Sequence, residues 1–298
     1  MNRTRANLLM LLVSIIWGLA FVAQVTGIDH IHPFALNMHR NFIAGLFLLA
    51  ILLFFPKLRN VGTDLKGTIV GGICCGIALS VAMALQQYGL QFTTAGKGSF
   101  ITALYIILVP IGGIVLGHKV SKKTWISVLV ACFGLYFISV KKDTGFSVEL
   151  GDILVFLSAL AFAVHILVVD HFSKNVDGVA MSCIQFFVAG IMSFLFILPT
   201  GASLFGDFTR ALPAILYLGF LSSGIGFTIQ IVAQRYSEPT TVSLLMSLES
   251  VFGLLGGIVV LGELVSAREW LGCALMFAAI LLAQLPIPKI KRREKIKS

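Results

Sequence analysis

The sequence predicts an all-α polytopic membrane protein with ten transmembrane helices, arranged as two inverted five-helix repeats around a central cavity. Three observations support this fold class. First, 58% of the 298 residues are apolar and only 12% are charged, whereas a soluble domain has roughly 45–50% and 25%. Second, the apolar residues form runs long enough to cross a bilayer, which takes about 20 residues of helix. Third, the second half of the chain repeats the first.

Apolar runs separated by polar or charged clusters define the ten spans. The first run follows a short basic segment and exceeds the ~7–15 apolar residues of a signal peptide, so we interpret it as a retained span. Pro110 falls inside the fourth span, where a helix kink is expected. The predicted spans are 8–26, 34–55, 65–86, 95–117, 123–140, 150–170, 178–198, 211–232, 240–262 and 267–285.

The positions of Lys and Arg predict the orientation of these spans. The formal net charge is +9, and no soluble domain is left to bind nucleic acid. With ten alternating spans, 16 of the 22 Lys and Arg residues fall on one side, five fall on the other, and Arg40 lies within a span. The positive-inside rule places the richer side, and so both termini, in the cytoplasm of a plasma (inner) membrane. We interpret residues 286–298 as a solvated basic tail, with a lipid-specific site as the alternative.

A shift of 145 residues aligns the two halves of the chain. Residues 112–125 resemble residues 257–270, and Phe42-Ile-Ala-Gly45 aligns with Phe187-Val-Ala-Gly190. The predicted repeats are therefore 8–140 and 150–285, each with five spans. Because five is odd, the second copy enters the membrane in the opposite direction. Inverted repeats are typical of secondary transporters, which bind substrate near the midplane between the copies.

Two charged residues inside spans are the strongest candidates for a substrate site. A charge at the centre of a span costs about 2.5–3.5 kcal/mol on insertion scales, so it usually faces a cavity or a partner. Glu249 lies near the middle of the ninth span, either as a substrate contact or proton carrier or as a structural partner. Arg40 lies in the second span, where it binds a substrate carboxylate or phosphate as a fork or extends its charge toward the interface.

Polar and aromatic side chains in other spans give further candidates. His165 relays protons in one interpretation and makes a packing hydrogen bond in the other. Aromatic side chains in spans either stack on a ligand or pack against other helices. No phosphate loop, nucleophile motif or metal-ligand spacing occurs, so no enzyme, metal site or cofactor is expected. The aromatic candidates are Trp17 and Tyr105, and the candidates for an outer vestibule or interface are Gln86, Gln87 and Lys97.

Several motifs resemble those of EamA-type transporters of the drug/metabolite transporter superfamily. They are Trp17-Gly-Leu-Ala-Phe21, Arg40 with its apolar run, 86–94, 95–110 and 247–263. The resemblance covers nearly the whole chain as two units. It implies ten helices around a central cavity and the export of small metabolites or toxic compounds. The residues that the resemblance places in this cavity are Trp17, Arg40, Gln87, Tyr105, His165 and Glu249.

Two positions depart from the family pattern. The Gly-Glu pair that ends the fourth span is Gly117-His118 here, and only the second copy keeps the acid, at Glu263. The Glu-Pro-Val motif of the ninth span is Glu249-Ser250-Val251. Because Ser250 replaces the proline, a weaker kink is expected there.

Together these features predict a secondary transporter that exports amino acids or drug-like compounds by alternating access, with proton coupling as one option. Arg40 is expected to hold an anionic group near the outer gate, and Glu249 to be protonated or substrate-bound in one state only. The expected partners are a small-molecule substrate and the lipid bilayer, and the expected oligomer is a monomer or homodimer. The alternatives are passive exchange or uptake, and a non-transporting membrane subunit or sensor.

Overall fold

The computed structural model describes residues 1–55, 64–93, 95–139, 149–261 and 266–284, and these residues form helices and no strand. The predicted basic tail 286–298 lies outside them. The helices of the first half are α1 Arg3–Ile28, α2 Pro33–Phe54, α3 Leu65–Gly89, α4 Ala95–Ala103, α5 Tyr105–Val115 and α6 Lys122–Ser139. Those of the second half are α7 Leu150–Phe172, α8 Gly178–Ile197, α9 Phe208–Leu216, the π-helical segment Tyr217–Phe227, α10 Thr228–Gln234, α11 Pro239–Met246, α12 Glu249–Leu261 and α13 Ala267–Gln284.

These helices make a polytopic membrane protein. Within the described residues, eight helical segments have the length and hydropathy of a membrane span, and Trp270–Ala283 is a shorter apolar segment. Helices α4 and α5 follow each other within one span, as do α11 and α12, and the π-helical segment joins α9 to α10. With α6, the described segments correspond to the ten predicted spans.

Polar and apolar side chains are distributed as expected for a bundle in lipid. Apolar side chains cover much of the outside, and Val115 and Leu53 are 82% and 68% exposed. Many polar side chains, among them Arg40, His165 and Glu249, are buried inside the bundle. Lipid cannot hydrogen-bond a polar side chain, so these groups gain by facing other helices or an internal cavity.

Polar residues in the loops fix where several helices begin. The Nδ1 atom of His32 accepts a hydrogen bond from the Phe34 N–H, and Pro33 takes the first helical position of α2. The Asp177 carboxylate accepts from the N–H groups of Val179 and Ala180 at the start of α8. Such caps satisfy N–H groups that have no partner inside the helix.

The two halves of the chain share the spacing of several helices, and the equivalent helices α2 and α8 run in opposite directions. A shift of 145 residues carries the start of α2 to the start of α8 and the start of α6 to the start of α13. A Cβ atom placed on Gly45 of α2 would lie 3.3 Å from the Phe187 ring, and one on Gly190 of α8 would lie 3.1 Å from the Phe42 ring. These reciprocal contacts make α2 and α8 antiparallel and support an inverted relationship between the copies.

Among the described residues, the fourth and ninth spans are both interrupted, and both interruptions differ from the expectation. In the fourth span the break is at Leu104, while Pro110 lies within the continuous helix α5. In the ninth span α11 ends at Met246 and α12 begins at Glu249, although Ser250 replaces the proline of the family motif. The 145-residue shift carries Leu104 onto Glu249, so the two breaks lie within two residues of equivalent positions.

Glycines allow close contacts between helices of the bundle. A Cβ atom on Gly72 would lie 2.7 Å from Ile184 Cβ, and one on Gly76 would lie 2.6 Å from Val188 Cβ. Helices α3 and α8 therefore approach each other at a distance that only glycine permits, as small residues allow in membranes. This Gly-x-x-x-Gly pair packs within the chain.

Candidate functional site

A narrow internal cavity lies where α1, α2, the π-helical segment and the two helix breaks meet. Its volume is about 40 Å³. Both halves of the chain contribute to its wall, and the wall combines aromatic, neutral polar and oppositely charged side chains. The lining residues are Trp17, Ala20, Phe21, Gln24, Arg40, Met83, Gln86, Thr102, Tyr105, Phe162, Ser222, Phe227, Met246 and Glu249.

Arg40 brings a positive charge to this cavity. Its side chain is 3% exposed, and its guanidinium donates from Nε to Ser223 Oγ (3.1 Å) and from Nη2 to Ser222 Oγ (3.0 Å). Among the described residues, no carboxylate forms an ion pair with it within 4.0 Å. The two serines orient the guanidinium but do not neutralise it, so its charge is available to an anionic group.

Glu249 brings a negative charge to the same cavity. It is the first residue of α12 and is 4% exposed. The Tyr105 hydroxyl, on the first residue of α5, donates a hydrogen bond to Glu249 Oε1 over 2.9 Å. The carboxylate also lies at a helix N-terminus, where the helix dipole favours negative charge. The two helix breaks thus meet at one hydrogen bond between the halves of the chain.

The break at Glu249 is made by a tight turn in the backbone. The N–H of Leu248 donates to the carbonyl of Leu245, and the N–H of Ser250 donates to the carbonyl of Ser247. These bonds span three residues instead of four, as in a 3₁₀ turn. The Ser247 hydroxyl also donates to the carbonyl of Leu244 over 2.8 Å. Serine bonds of this kind compete with the regular helix and favour such a bend without proline.

The π-helical segment holds one wall of the cavity. The Trp17 indole N–H donates to the carbonyl of Ser222 over 3.0 Å, and its ring centroid lies 4.5 Å from that of Phe227. A Cβ atom on Gly226 would lie 2.7 Å from Trp17 Nε1, so glycine lets the indole approach the segment. One segment therefore positions Trp17 through its backbone and Arg40 through its serines. π-Helical turns often occur at functional sites.

The three residues predicted near the outer ends of spans three and four occupy different places. Gln86 lines the central cavity and donates from Nε2 to Thr102 Oγ1 over 3.0 Å. Gln87 lies behind the lining, fully buried, and donates to the Gln24 carbonyl over 3.3 Å. The side chain of Lys97 lies outside the described part of the structure.

His165 is separated from the cavity lining by an aromatic ring. It is fully buried, and its Nε2 atom forms a hydrogen bond with Gln185 Oε1 over 2.9 Å. Its ring centroid lies 5.7 Å from that of Phe227, which lines the cavity. Of the six cavity candidates, Trp17, Arg40, Tyr105 and Glu249 therefore meet at the cavity, whereas Gln87 and His165 lie outside its lining.

Sequence reasoning missed several neutral residues of the wall. Ser222 interrupts an apolar stretch beside Ser223, and this pair was a visible signal. Gln24 and Thr102 gave a weaker signal, because single neutral polar residues are common in transmembrane helices. Phe227 gave none, since phenylalanine is abundant in every span.

Comparison with known proteins identifies the family. The model of the EamA-like transporter family matches residues 4–140 and 149–285. An uncharacterized transporter of Archaeoglobus fulgidus is 32% identical over 96% of this chain and 88% of its own length. The uncharacterized transporter YoaV of Bacillus subtilis is 25% identical over 91% of this chain and 93% of its own length.

A solved structure supports the fold independently. A chain described only as "Crystal structure of protein" matches with a TM-score of 0.78 at 16% identity, over 97% of this chain and 99% of that chain. At this identity the match supports the fold alone. The family match covers both halves of the chain, and the all-helical bundle has the spans that such a transporter requires. The chain belongs to the EamA-like transporter family, within the drug/metabolite transporter superfamily, and is a polytopic membrane transporter.

Proposed function

We propose that this transporter moves a small zwitterionic metabolite of the amino-acid class out of the cell by alternating access. One observation carries the proposal: Arg40 and Glu249 line one cavity with opposite charges and form no ion pair with each other. A zwitterion supplies both counter-charges, with its carboxylate on the guanidinium and its ammonium on the carboxylate. Such pairing offsets the cost of keeping two charges away from water.

The rest of the wall suits a substrate with an apolar side chain. Trp17, Phe21 and Phe162 surround the charged groups together with Met246. Aromatic rings bury large apolar areas, and methionine adapts to irregular shapes. The cavity therefore combines two orienting charges with an apolar surface, a pattern common in small-molecule sites.

Alternating access requires that the two halves move relative to each other around this site. The Tyr105–Glu249 hydrogen bond joins the interrupted span of one half to that of the other. In secondary transporters, interrupted helices near the midplane commonly form the site at the interface between repeats. We propose that occupancy of Glu249, by a proton or by the substrate ammonium, differs between the two states and couples binding to this movement.

The test uses purified protein in liposomes loaded with a mixture of the twenty common amino acids. Release of each amino acid is measured by mass spectrometry, with and without a pH gradient. We expect wild-type protein to release a subset of the mixture. Arg40→Gln and Glu249→Gln are each expected to abolish this release. Ser193→Ala is the matched control, because Ser193 is buried in α8 and bonds only within its own helix over 2.7 Å.

The outcomes separate the alternatives. Release by wild type that continues unchanged in Glu249→Gln, with the same response to the pH gradient, would leave Glu249 with a structural role. Uptake from the medium without release would show that transport runs in the direction opposite to the proposed export. If wild-type protein moves none of the mixture in either direction, a zwitterionic amino acid is the wrong substrate class.

A further inference from the structure

A second buried polar cluster lies behind Phe227, outside the cavity. It consists of the bonded pair His165 on α7 and Gln185 on α8, to which we add Gln230, three residues after Phe227 on α10, and all three side chains are fully buried. The His165–Gln185 hydrogen bond satisfies one atom of each side chain. Three atoms of the cluster have no hydrogen-bond partner, namely His165 Nδ1, Gln185 Nε2 and Gln230 Oε1. Unsatisfied buried polar atoms are costly, so several in one cluster require an explanation.

The three helices that carry this cluster are held together by polar contacts. The Gln234 side chain of α10 donates to the carbonyl of Ile166 on α7 over 2.9 Å. The hydroxyls of Ser182 on α8 and Thr228 on α10 lie 2.7 Å apart. Polar side chains next to the cluster therefore do find hydrogen-bond partners, whereas three atoms of the cluster do not.

Within the cluster, Gln185 has the position in the second half that Arg40 has in the first. The 145-residue shift carries Arg40 onto Gln185. Arg40 follows Pro33, the first residue of α2, by seven positions, and Gln185 follows Gly178, the first residue of α8, by seven. When two inverted copies exchange conformations during alternating access, the surroundings of Gln185 become equivalent to those that Arg40 has here.

The Phe227 ring separates this cluster from the cavity. Phe227 lines the cavity, and its centroid lies 4.5 Å from the Trp17 ring, 5.7 Å from the His165 ring and 5.9 Å from the Phe186 ring. It is the last residue of the π-helical segment. A return of this segment to α-helical hydrogen bonding would change the rotation of its final residue, Phe227, and so the position of this ring.

We propose that His165, Gln185 and Gln230 form a second binding station for the transported zwitterion, reached from the cavity when the Phe227 ring moves. The inference rests on the proposed function. When His165 Nε2–H donates to Gln185, its Nδ1 atom accepts, as does Gln230 Oε1, and both suit an ammonium group. Gln185 Nε2 donates and suits a carboxylate. This station has no full charge, so it binds the same substrate less tightly than the cavity.

The test separates binding in the cavity from passage through the second station. The chain has three tryptophans, so Trp125→Phe with Trp270→Phe leaves Trp17 as a fluorescent reporter of the cavity. In this background we compare His165→Leu/Gln185→Leu with Ser182→Ala/Thr228→Val, which removes the neighbouring satisfied pair. The probe is the amino acid that wild-type liposomes release fastest.

We expect the His165/Gln185 variant to bind the probe within about twofold of wild type by Trp17 fluorescence, and to transport it about tenfold more slowly. Its melting temperature should not fall, because both partners of the bond are replaced together. The Ser182/Thr228 variant should transport within about twofold of wild type. Where the first variant fails to fold, Gln230→Leu, which keeps the His165–Gln185 bond, is measured in the same way.

Transport at the wild-type rate in the folded variant overturns the second station and leaves the proposed function intact. Loss of binding and transport together assigns the cluster a purely structural role and also overturns the station. If wild-type protein neither binds nor transports any amino acid, the proposed function fails, and the inference fails with it.

Discussion

At the scale of residues, the buried charges of this transporter are held by hydroxyl groups. Two serine hydroxyls accept from Arg40, and one tyrosine hydroxyl donates to Glu249. Neutral partners fix the direction of a charged group without cancelling its charge. Rarity made both charged residues predictable from the sequence, because few charges occur inside spans. Tyr105 was also a candidate, but its pairing with Glu249 and the pairing of Arg40 with two serines join distant segments and were not predictable.

We expect Arg40→Lys to keep the positive charge but lose the pair of hydrogen bonds that the guanidinium donates to Ser222 and Ser223. A lysine ammonium cannot reproduce the fixed geometry of Nε and Nη2 with the two serines. A hydrogen bond to a charged group contributes about 1.5–3 kcal/mol, so transport at low substrate concentration should fall at least about tenfold. The measurement is initial flux in liposomes at matched protein density. Flux equal to wild type would show that charge alone suffices at this position.

The loop between α1 and α2 gives a pH-dependent prediction. Burial lowers the pKa of His32 from its ordinary value of about 6.5, and its Nδ1 atom caps α2 in the unprotonated form. The unfolded chain therefore takes up a proton at higher pH than the folded chain. The stability from this group is present above pH 6.5 and is lost as pH falls through the lowered pKa.

His32→Ser tests this, because serine caps helices equally well and does not titrate. The melting temperature in detergent should be similar for both proteins near pH 8. Toward pH 5 the melting temperature of the wild type should fall more than that of the variant. Parallel pH profiles would mean that His32 contributes no acid sensitivity.

At the scale of elements, the decisive feature is the pair of interrupted spans. The hydrophobic pattern predicts one helix over 95–117, with a kink at Pro110, and one over 240–262, and it gives their position in the chain correctly. It does not reveal the breaks, because short-range backbone bonds and serine side chains interrupt a helix without changing its hydropathy. Alignment of the repeats brings Leu104 onto Glu249, but the meaning of this match appears only once both breaks are seen.

Close helix contacts give a second prediction at this scale. A Cβ atom on Gly76 would lie 2.6 Å from Val188 Cβ and 2.8 Å from the Gln185 carbonyl oxygen. Gly76→Ala must therefore push α3 away from α8, and overpacking of this kind costs about 1–3 kcal/mol. We expect a clearly lower melting temperature in detergent.

Gly253→Ala is the matched control, because its Cβ atom would meet only Gly18, at 3.5 Å or more. That distance is ordinary van der Waals contact, so the melting temperature should stay near the wild-type value. Equal effects of the two substitutions would show that helix propensity, and not the contact with α8, decides the result.

At the scale of the whole molecule, two similar halves interlock across one cavity. Helix α1 of the first half packs against α12 of the second, and α7 of the second half packs against α3 of the first. Neither half therefore encloses the cavity alone. Both copies therefore contribute to the site, as the proposed alternating access requires.

Reporter fusions test the orientation that the charges predict. Alkaline phosphatase fused after residue 203, between α8 and α9, should be active, because that loop is predicted outside. The same enzyme fused after residue 120, between α5 and α6, should be inactive, and green fluorescent protein at the C-terminus should fluoresce. The opposite pattern would place both termini outside and contradict the positive-inside prediction.

The sequence by itself determined the class of protein, the number and order of the spans, the internal duplication and the two rare charges. These properties follow from hydropathy, charge counts and repetition, which are local or periodic along the chain. Only the tertiary structure decided that Arg40 and Glu249 share a cavity, that Gln86 lines it, and that Phe227 separates it from His165. Most of those contacts join residues that are distant along the chain, and the packing of the two copies against each other, not any local pattern, sets which of them meet.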